Sequence, residues 1–273
     1  MSTSDKTFSK RNFLSRINAR WPWLKLVAVI IIGIMSILDL LDITISRTGD
    51  PLSTIRIAPM SKHVRATTRD LNGKKLVALT FDDGPSPETT PRLLDILQEK
   101  DVPATFFMLG VMARNNPDIV KRASKEGHEI ASHTMYHQNL IKISASAVQS
   151  DIEESRAVFN NILGKTPSFT RPPYGNINDS VRKFVKTPMI LWSVDTLDWK
   201  SRDPNSIIAV TLDEVHDGAI ILMHDIYSTS VDAVPGLIDT LRFNGYEFVS
   251  LPELVKIRQV NPLPGYAYYN FKP

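Results

Sequence analysis

From Lys75 onward the chain alternates short apolar runs with amphipathic stretches, and this rhythm limits the folds open to it. Lys75–Phe81, Ala104–Leu109, His128–Ser132, Ser168–Arg171, Met189–Val194, Ala219–Met223 and Tyr246–Ser250 read as strands. Between them Pro91–Glu99, Asp118–Lys125, Ser146–Leu163, Ser180–Val185, Pro204–Val215 and Val234–Phe243 read as helices, with Gly127 and Gly164 as stop signals. A helix between two strands returns the chain to the same end of the sheet, so the strands run mainly parallel. The expected fold is therefore α/β, a (β/α) barrel in which chemistry gathers at the C-terminal ends of the strands. An apolar share of 42% supports a core of that size. With Cys 0, disulfides and thiolate ligands are excluded.

The segment before this rhythm has a different character. Lys6, Lys10, Arg11, Arg16, Arg20 and Lys25 precede an uncharged run from Leu26 to Leu38, and only Asp5 opposes them. Residues 1–25 read as a cytoplasmic basic tail and 26–41 as the core of a transmembrane signal anchor, with Trp21 and Trp23 at the interface. No Ala-x-Ala-like site follows, so an uncleaved single-pass anchor is favoured over a cleaved signal that would release a secreted protein. Positive charge on the N-terminal side places the remainder outside the cytoplasm. Residues 42–73, polar and containing Pro51 and Pro59, read as a linker, 74–260 as the catalytic domain and 261–273 as a C-terminal tail. The pI near 9.0 comes from the tail and does not point to nucleic acid. Nothing in the sequence signals an obligate protein partner.

Ionisable residues fall at the expected strand ends. Asp82-Asp83 ends the first strand, His133 follows the third and His137 lies four residues later, and Arg171 ends the next. Asp195 and Asp198 follow Met189–Val194, and His224-Asp225 follows Ala219–Met223. Asp83, His133 and His137 make an Asp/His/His set suited to Zn²⁺ or a similar divalent ion, the two imidazoles sharing a face if their stretch forms a helical turn. Two adjacent carboxylates resist joint ionisation in a confined site. A cation on Asp83 and Arg171 beside Asp82 would relieve that, leaving Asp82 to take a proton from an attacking water. His224 could protonate a leaving group, with Asp198 raising its pKa. Asp225 reads as structural, as do His63, His128 and His216. Tyr174 and Trp199 are candidates for a wall that packs on sugar rings.

Five segments in order resemble the NodB-type polysaccharide deacetylases of carbohydrate esterase family 4. They are Thr80-Phe81-Asp82-Asp83-Gly84-Pro85, Ser132-His133-Thr134-Met135-Tyr136-His137, Arg171-Pro172-Pro173-Tyr174-Gly175, Asp195-Thr196-Leu197-Asp198-Trp199 and Ile221-Leu222-Met223-His224-Asp225. The resemblance, which spans roughly Lys75 to Ile257, implies a distorted (β/α) barrel and metal-dependent removal of acetyl groups from sugars. It makes Asp82 the base, oriented by Arg171, and Asp83, His133 and His137 the ligands of a divalent ion, Zn²⁺ first, then Co²⁺, Ni²⁺ or Mn²⁺. It makes His224 the acid tuned by Asp198, the Tyr174 backbone N–H an oxyanion donor, and Leu222 and Trp192 the walls of an acetyl pocket. Within the family the chain looks nearest to the peptidoglycan N-acetylglucosamine deacetylases, which implies a cell-wall glycan as substrate. Chitin oligomers, acetylxylan or another exopolysaccharide are the alternatives, and a wall-glycan-binding protein without catalysis is the alternative of another class.

Overall fold

The computed structural model describes residue 71 and residues 73–273. The basic tail, the 26–41 span and nearly all of the 42–73 linker lie outside the described residues. Among the described residues no helix is long and apolar enough to cross a membrane.

In chain order the elements are β1 (Lys75–Asp82), α1 (Thr90–Glu99), β2 (Thr105–Met108), α2 (Gly110–Asn115), α3 (Pro117–Lys125), β3 (Glu129–Ser132), α4 (Ala145–Leu163) and α5 (Asp179–Phe184). They continue with β4 (Met189–Ile190), β5 (Val194–Asp195), α6 (Asp198–Ser201), α7 (Pro204–Glu214), β6 (Ala219–His224), α8 (Ser228–Phe243), β7 (Tyr246–Phe248), α9 (Leu251–Ile257) and β8 (Ala267–Tyr268). The expected strand–helix alternation is present, and every named strand pair is parallel. The sheet runs β3-β2-β1-β6-β5, with β7 on the first residues of β1 and β2 on its last.

Two of the expected strands prove irregular, and their irregularity closes the ring. Met189–Val194, read as one strand, is broken between β4 and β5. Its first half bridges to Thr170 and pairs with β8, whereas its second half pairs with β6, so the chain must bend between two neighbours. Ser168–Arg171 is reduced to a bridge at Thr170, which links Ser132 of β3 to Met189 of β4. The helix read over Val234–Phe243 begins earlier, at Ser228, and its polar opening residues Ser228-Thr229-Ser230 give no apolar period by which to read them. Residues beyond 260 include β8, and the Phe271 N–H donates to the Gly218 carbonyl.

Strand alternation decides what faces the centre. Val77, Leu79 and Phe81 of β1 join Phe106, Met108, Ile221 and Met223 in the larger core under the helices. The opposite face carries Leu76, Ala78, Phe107, Ala131 and Ile220. Continuing that second face by twos gives Thr80 and Asp82 on β1, and Leu222 and His224 on β6. The barrel interior is thus apolar below and polar at the C-terminal strand ends. Burying both faces of these strands also explains their nearly unbroken apolar runs.

Candidate active site

β1 and β6 pair in a register that sets Asp82 opposite His224. The two groups therefore stand at one level on adjacent strands, Asp82 beside the metal-ligand candidates and His224 beside Asp198.

Asp83, His133 and His137 each turn one potential ligand atom toward a common point, and the three atoms lie within 4.8 Å of one another. Asp83 Oδ1 is 3.5 Å from His133 Nε2 and 3.3 Å from His137 Nε2. His133 Nδ1 is 2.6 Å from the Arg171 carbonyl. A carbonyl only accepts, so Nδ1 carries the hydrogen and the Nε2 lone pair faces Asp83. Burial lowers the His133 pKa to about 3, which keeps the imidazole neutral, as ligation requires. Asp83 Oδ1 is buried without a hydrogen-bond partner. A buried carboxylate oxygen in that state is costly unless a cation meets it, so these residues fit a divalent ion.

The ligand loops are held by backbone. The 133–137 stretch is no helical turn, contrary to the expectation from the His spacing, since Thr134 and His137 take left-handed backbones with φ of 72° and 56°. Its shape is fixed by α2, whose first N–H groups lack partners within the helix. Gly110 donates to the Thr134 carbonyl and Val111 to the Met135 carbonyl, while Leu109 donates to Gly84 beside Asp83. Asp151 on α4 accepts from the Met135 N–H at 2.7 Å. Asp83 and Tyr174 are also left-handed, with φ of 75° and 62°. Such backbone strain gathers at sites that the surrounding structure over-determines.

Arg171 is fully buried and each of its nitrogens is used. Nε and Nη2 donate to the Ile190 and Leu191 carbonyls, and Nη1 donates to Thr80 Oγ1 and to Asp82 Oδ1 at 2.7 Å. Its Cζ lies 3.9 Å from the centroid of the Phe107 ring. The last residue of β4 and the first of the bend after it supply those two carbonyls, so the break in the strand helps to aim the guanidinium. Burial pushes the Asp82 carboxyl above its usual range, and Arg171 pulls it back in part. Oδ2 of Asp82 remains 3.6 Å from His133 Nε2, facing the ligand cluster.

His224 and Asp198 form the opposite wall. His224 Nδ1 is 2.8 Å from Asp198 Oδ1. Asp198 has no exposure, and its Oδ2 accepts from the His224 N–H at 2.7 Å and from Ser230 Oγ at 2.6 Å. Burial alone would lower the His224 pKa, but the bond to Asp198 and the charges of Asp198, Asp82 and Asp83 raise it to about 9. Burial likewise opposes the Asp198 charge, yet its hydrogen bonds to His224 and Ser230 carry its pKa below the usual value. The pair therefore holds a proton on the imidazole at neutral pH.

The remaining sequence candidates differ in exposure. Tyr174 is 61% exposed and Trp199 is 47% exposed. The Tyr174 ring packs edge-on against His137, with centroids 4.8 Å apart. Leu222 is buried two residues before His224 on the inner face, and Trp192 packs against the backbone of Gly175. Several contributors went unseen in the sequence. Thr80 could have been found by stepping back two residues from Asp82, since it shares that face. Ser230 and Asp151 carry no motif and are placed only by the fold. Asp225, read as structural, is buried, accepts from Thr90 Oγ1 at 2.5 Å, and stands against Gly84, where any side chain would collide with its carboxyl.

Residues 69–188 match the model of a family described as polysaccharide deacetylase. Peptidoglycan-N-acetylglucosamine deacetylase PgdA of Listeria monocytogenes is 42% identical over 200 residues, 73% of this chain and 42% of that protein. Peptidoglycan-N-acetylmuramic acid deacetylase PdaC of Bacillus subtilis is 39% identical over 186 residues, 68% of this chain and 40% of that protein. The solved PdaC structure superposes with a TM-score of 0.66 at 38% identity, covering 68% of this chain and 93% of that one. This chain belongs to the polysaccharide deacetylase family. It spans about two fifths of the length of these two curated relatives. A cobalt-bound family 4 acetyl xylan esterase from Clostridium thermocellum superposes with a TM-score of 0.68 at 33% identity, covering 72% of this chain and 98% of that one. The resemblance read from the five motifs is thereby established at the level of the family, and the parallel α/β fold is shared with its solved members.

Proposed function

We propose that this protein is a metal-dependent hydrolase that removes N-acetyl groups from N-acetylglucosamine residues of cell-wall peptidoglycan. The observation that carries the reading is the ladder register of Asp82 against His224, with the Asp83–His133–His137 cluster beside the first and Asp198 behind the second. A divalent ion, Zn²⁺ first, held by Asp83, His133 and His137 would polarise the acetyl carbonyl and acidify the attacking water. Asp82, aimed by Arg171, takes the proton of that water as its oxygen bonds to the carbonyl carbon. The Tyr174 backbone N–H supports the charge that develops on the carbonyl oxygen. As the carbon–nitrogen bond breaks, His224 gives its proton to the leaving amine, yielding acetate and a glucosamine unit. Leu222 and Trp192 border the acetyl group, and Tyr174 and Trp199 the sugar rings. The names of the Listeria and Bacillus relatives support peptidoglycan as the polymer, and residues 26–41 are read as the anchor that holds the domain on the outer side of the membrane.

Acetate release from peptidoglycan, chitotetraose and acetylxylan, assayed side by side with Zn²⁺, tests the substrate. Release should be fastest from peptidoglycan, with free amines on glucosamine; faster release from acetylxylan, or amines on muramic acid, overturns the assignment. Asp82→Asn should lower kcat by roughly 10²- to 10⁴-fold and keep its metal. Asp83→Asn should lose the metal. Near wild-type turnover by Asp82→Asn would remove Asp82 as the base.

A further inference from the structure

The rim beside the acid carries a cation that the reaction above does not use. Arg202 follows α6 with a left-handed backbone, φ 51°, and its Nε donates to the Trp199 carbonyl at 3.0 Å. Its Cζ lies 3.1 Å from the centroid of the Tyr227 ring. Tyr227 in turn packs on the His224 imidazole, with centroids 5.8 Å apart. The exposed guanidinium is thus suspended between the sugar-wall candidate Trp199 and the acid. Among the described residues no carboxylate pairs with it, and the adjacent Asp203 accepts from the Asn205 and Ser206 N–H groups of α7. Its Nη1 and Nη2 have no hydrogen-bond partner among the described residues.

We propose that Arg202, stacked on Tyr227, is the binding point for a carboxylate carried by the unit next to the N-acetyl group under attack. A guanidinium offers two parallel donors that match a carboxylate. Stacking on a tyrosine fixes its plane in advance, which reduces the ordering cost of binding. The inference rests on the peptidoglycan reading and deepens it. In that polymer each N-acetylglucosamine is flanked by a sugar with a lactyl group, which ends in a carboxylate or continues into a peptide bearing carboxylates. Neutral chito-oligomers and acetylxylan present no such group. Arg202 is then a specificity determinant that favours the wall polymer.

The test compares kcat/KM of the wild type, Arg202→Gln and Arg202→Lys on three soluble glycans: chitotetraose, a peptide-free muramyl oligomer and a peptide-bearing muramyl oligomer. In Arg202→Gln the ratio of anionic to neutral kcat/KM should fall by roughly tenfold, about 1.4 kcal/mol, through KM on the anionic glycan. The muramyl oligomer that shows the loss identifies the lactyl or the peptide carboxylate. Arg202→Lys should recover part of the ratio, and added salt should weaken the wild-type preference more than that of Arg202→Gln. Equal loss on all three glycans, or a shift in the basic limb of the pH profile, would mean that Arg202 acts through Tyr227 on His224 and would overturn the proposal. An unchanged ratio overturns it too. A wild type inactive on both muramyl oligomers but active on chitotetraose would instead sink the peptidoglycan reading.

Discussion

Two of the histidines at the barrel mouth, His133 and His224, share a chemistry and a low exposure, and the structure drives them to opposite protonation states. Side-chain exposure is 3% for His133 and 14% for His224. Burial disfavours the charged form of both. His133 meets a backbone carbonyl through Nδ1, which fixes a tautomer, and burial outweighs the charge of the nearby Asp83, so its pKa drops to about 3. His224 meets the buried carboxylate of Asp198 with the same nitrogen, and its pKa rises to about 9. A neutral imidazole suits ligation and an imidazolium suits proton donation, so the partner of Nδ1 helps to leave each ring fit for the role proposed for it.

Asp198→Asn attacks that difference directly and should have the largest effect. Removing the anion takes away the interaction that raises the His224 pKa, so the imidazolium deprotonates at lower pH. The basic limb of the kcat/KM profile should move toward acid, and activity at pH 8 should fall by roughly 10²- to 10⁴-fold, the usual worth of a general acid. A basic limb that stays in place would separate Asp198 from the titration of His224.

This contrast was partly legible in the sequence, and the reason lies in which residues strand geometry exposes. Parallel strands put reactive side chains at their C-terminal ends, so Asp82, Asp83, His133, Arg171 and His224 announce themselves as charges after apolar runs. Asp198 was recognisable as a partner because it lies shortly after another strand. Ser230, by contrast, sits in the first turn of α8 and reaches Asp198 across 32 residues of sequence, a distance no local pattern encodes. The conformation of the His133–His137 loop was also hidden. Four-residue spacing suggests a helical turn, whereas the carbonyls that accept from α2 and the carboxylate of Asp151 impose left-handed backbones instead. The break between β4 and β5 was invisible for a related reason: two different neighbours compete for one apolar run.

His133→Asn sharpens the other side of the comparison, with an effect read on the metal. The Asn amide nitrogen can replace Nδ1 and still donate to the Arg171 carbonyl, while the ligand atom Nε2 disappears. Zn²⁺ affinity, measured by chelator competition, should fall by more than the 10- to 100-fold typical of losing an outer-shell partner. The metal-free variant should melt within a few degrees of the metal-free wild type. A large loss of stability without loss of affinity would make His133 a structural residue.

Ser230→Ala is the mildest probe and asks how much of the acid depends on the setting of its partner. Ser230 Oγ donates to Asp198 Oδ2 at 2.6 Å with neither side chain exposed. A hydrogen bond to a charged group contributes about 1.5–3 kcal/mol, and that much stability should be lost in denaturant titration. Asp198 keeps three other donors, the His224 ring, the His224 N–H and the Trp199 N–H, so its carboxylate remains ionised at neutral pH. The basic limb should therefore move far less than in Asp198→Asn, leaving stability rather than turnover as the main casualty. If Ser230→Ala instead shifts the limb as far as Asp198→Asn, the hydroxyl belongs to the proton-holding unit, and the acid of this site is a His–Asp–Ser chain rather than a pair.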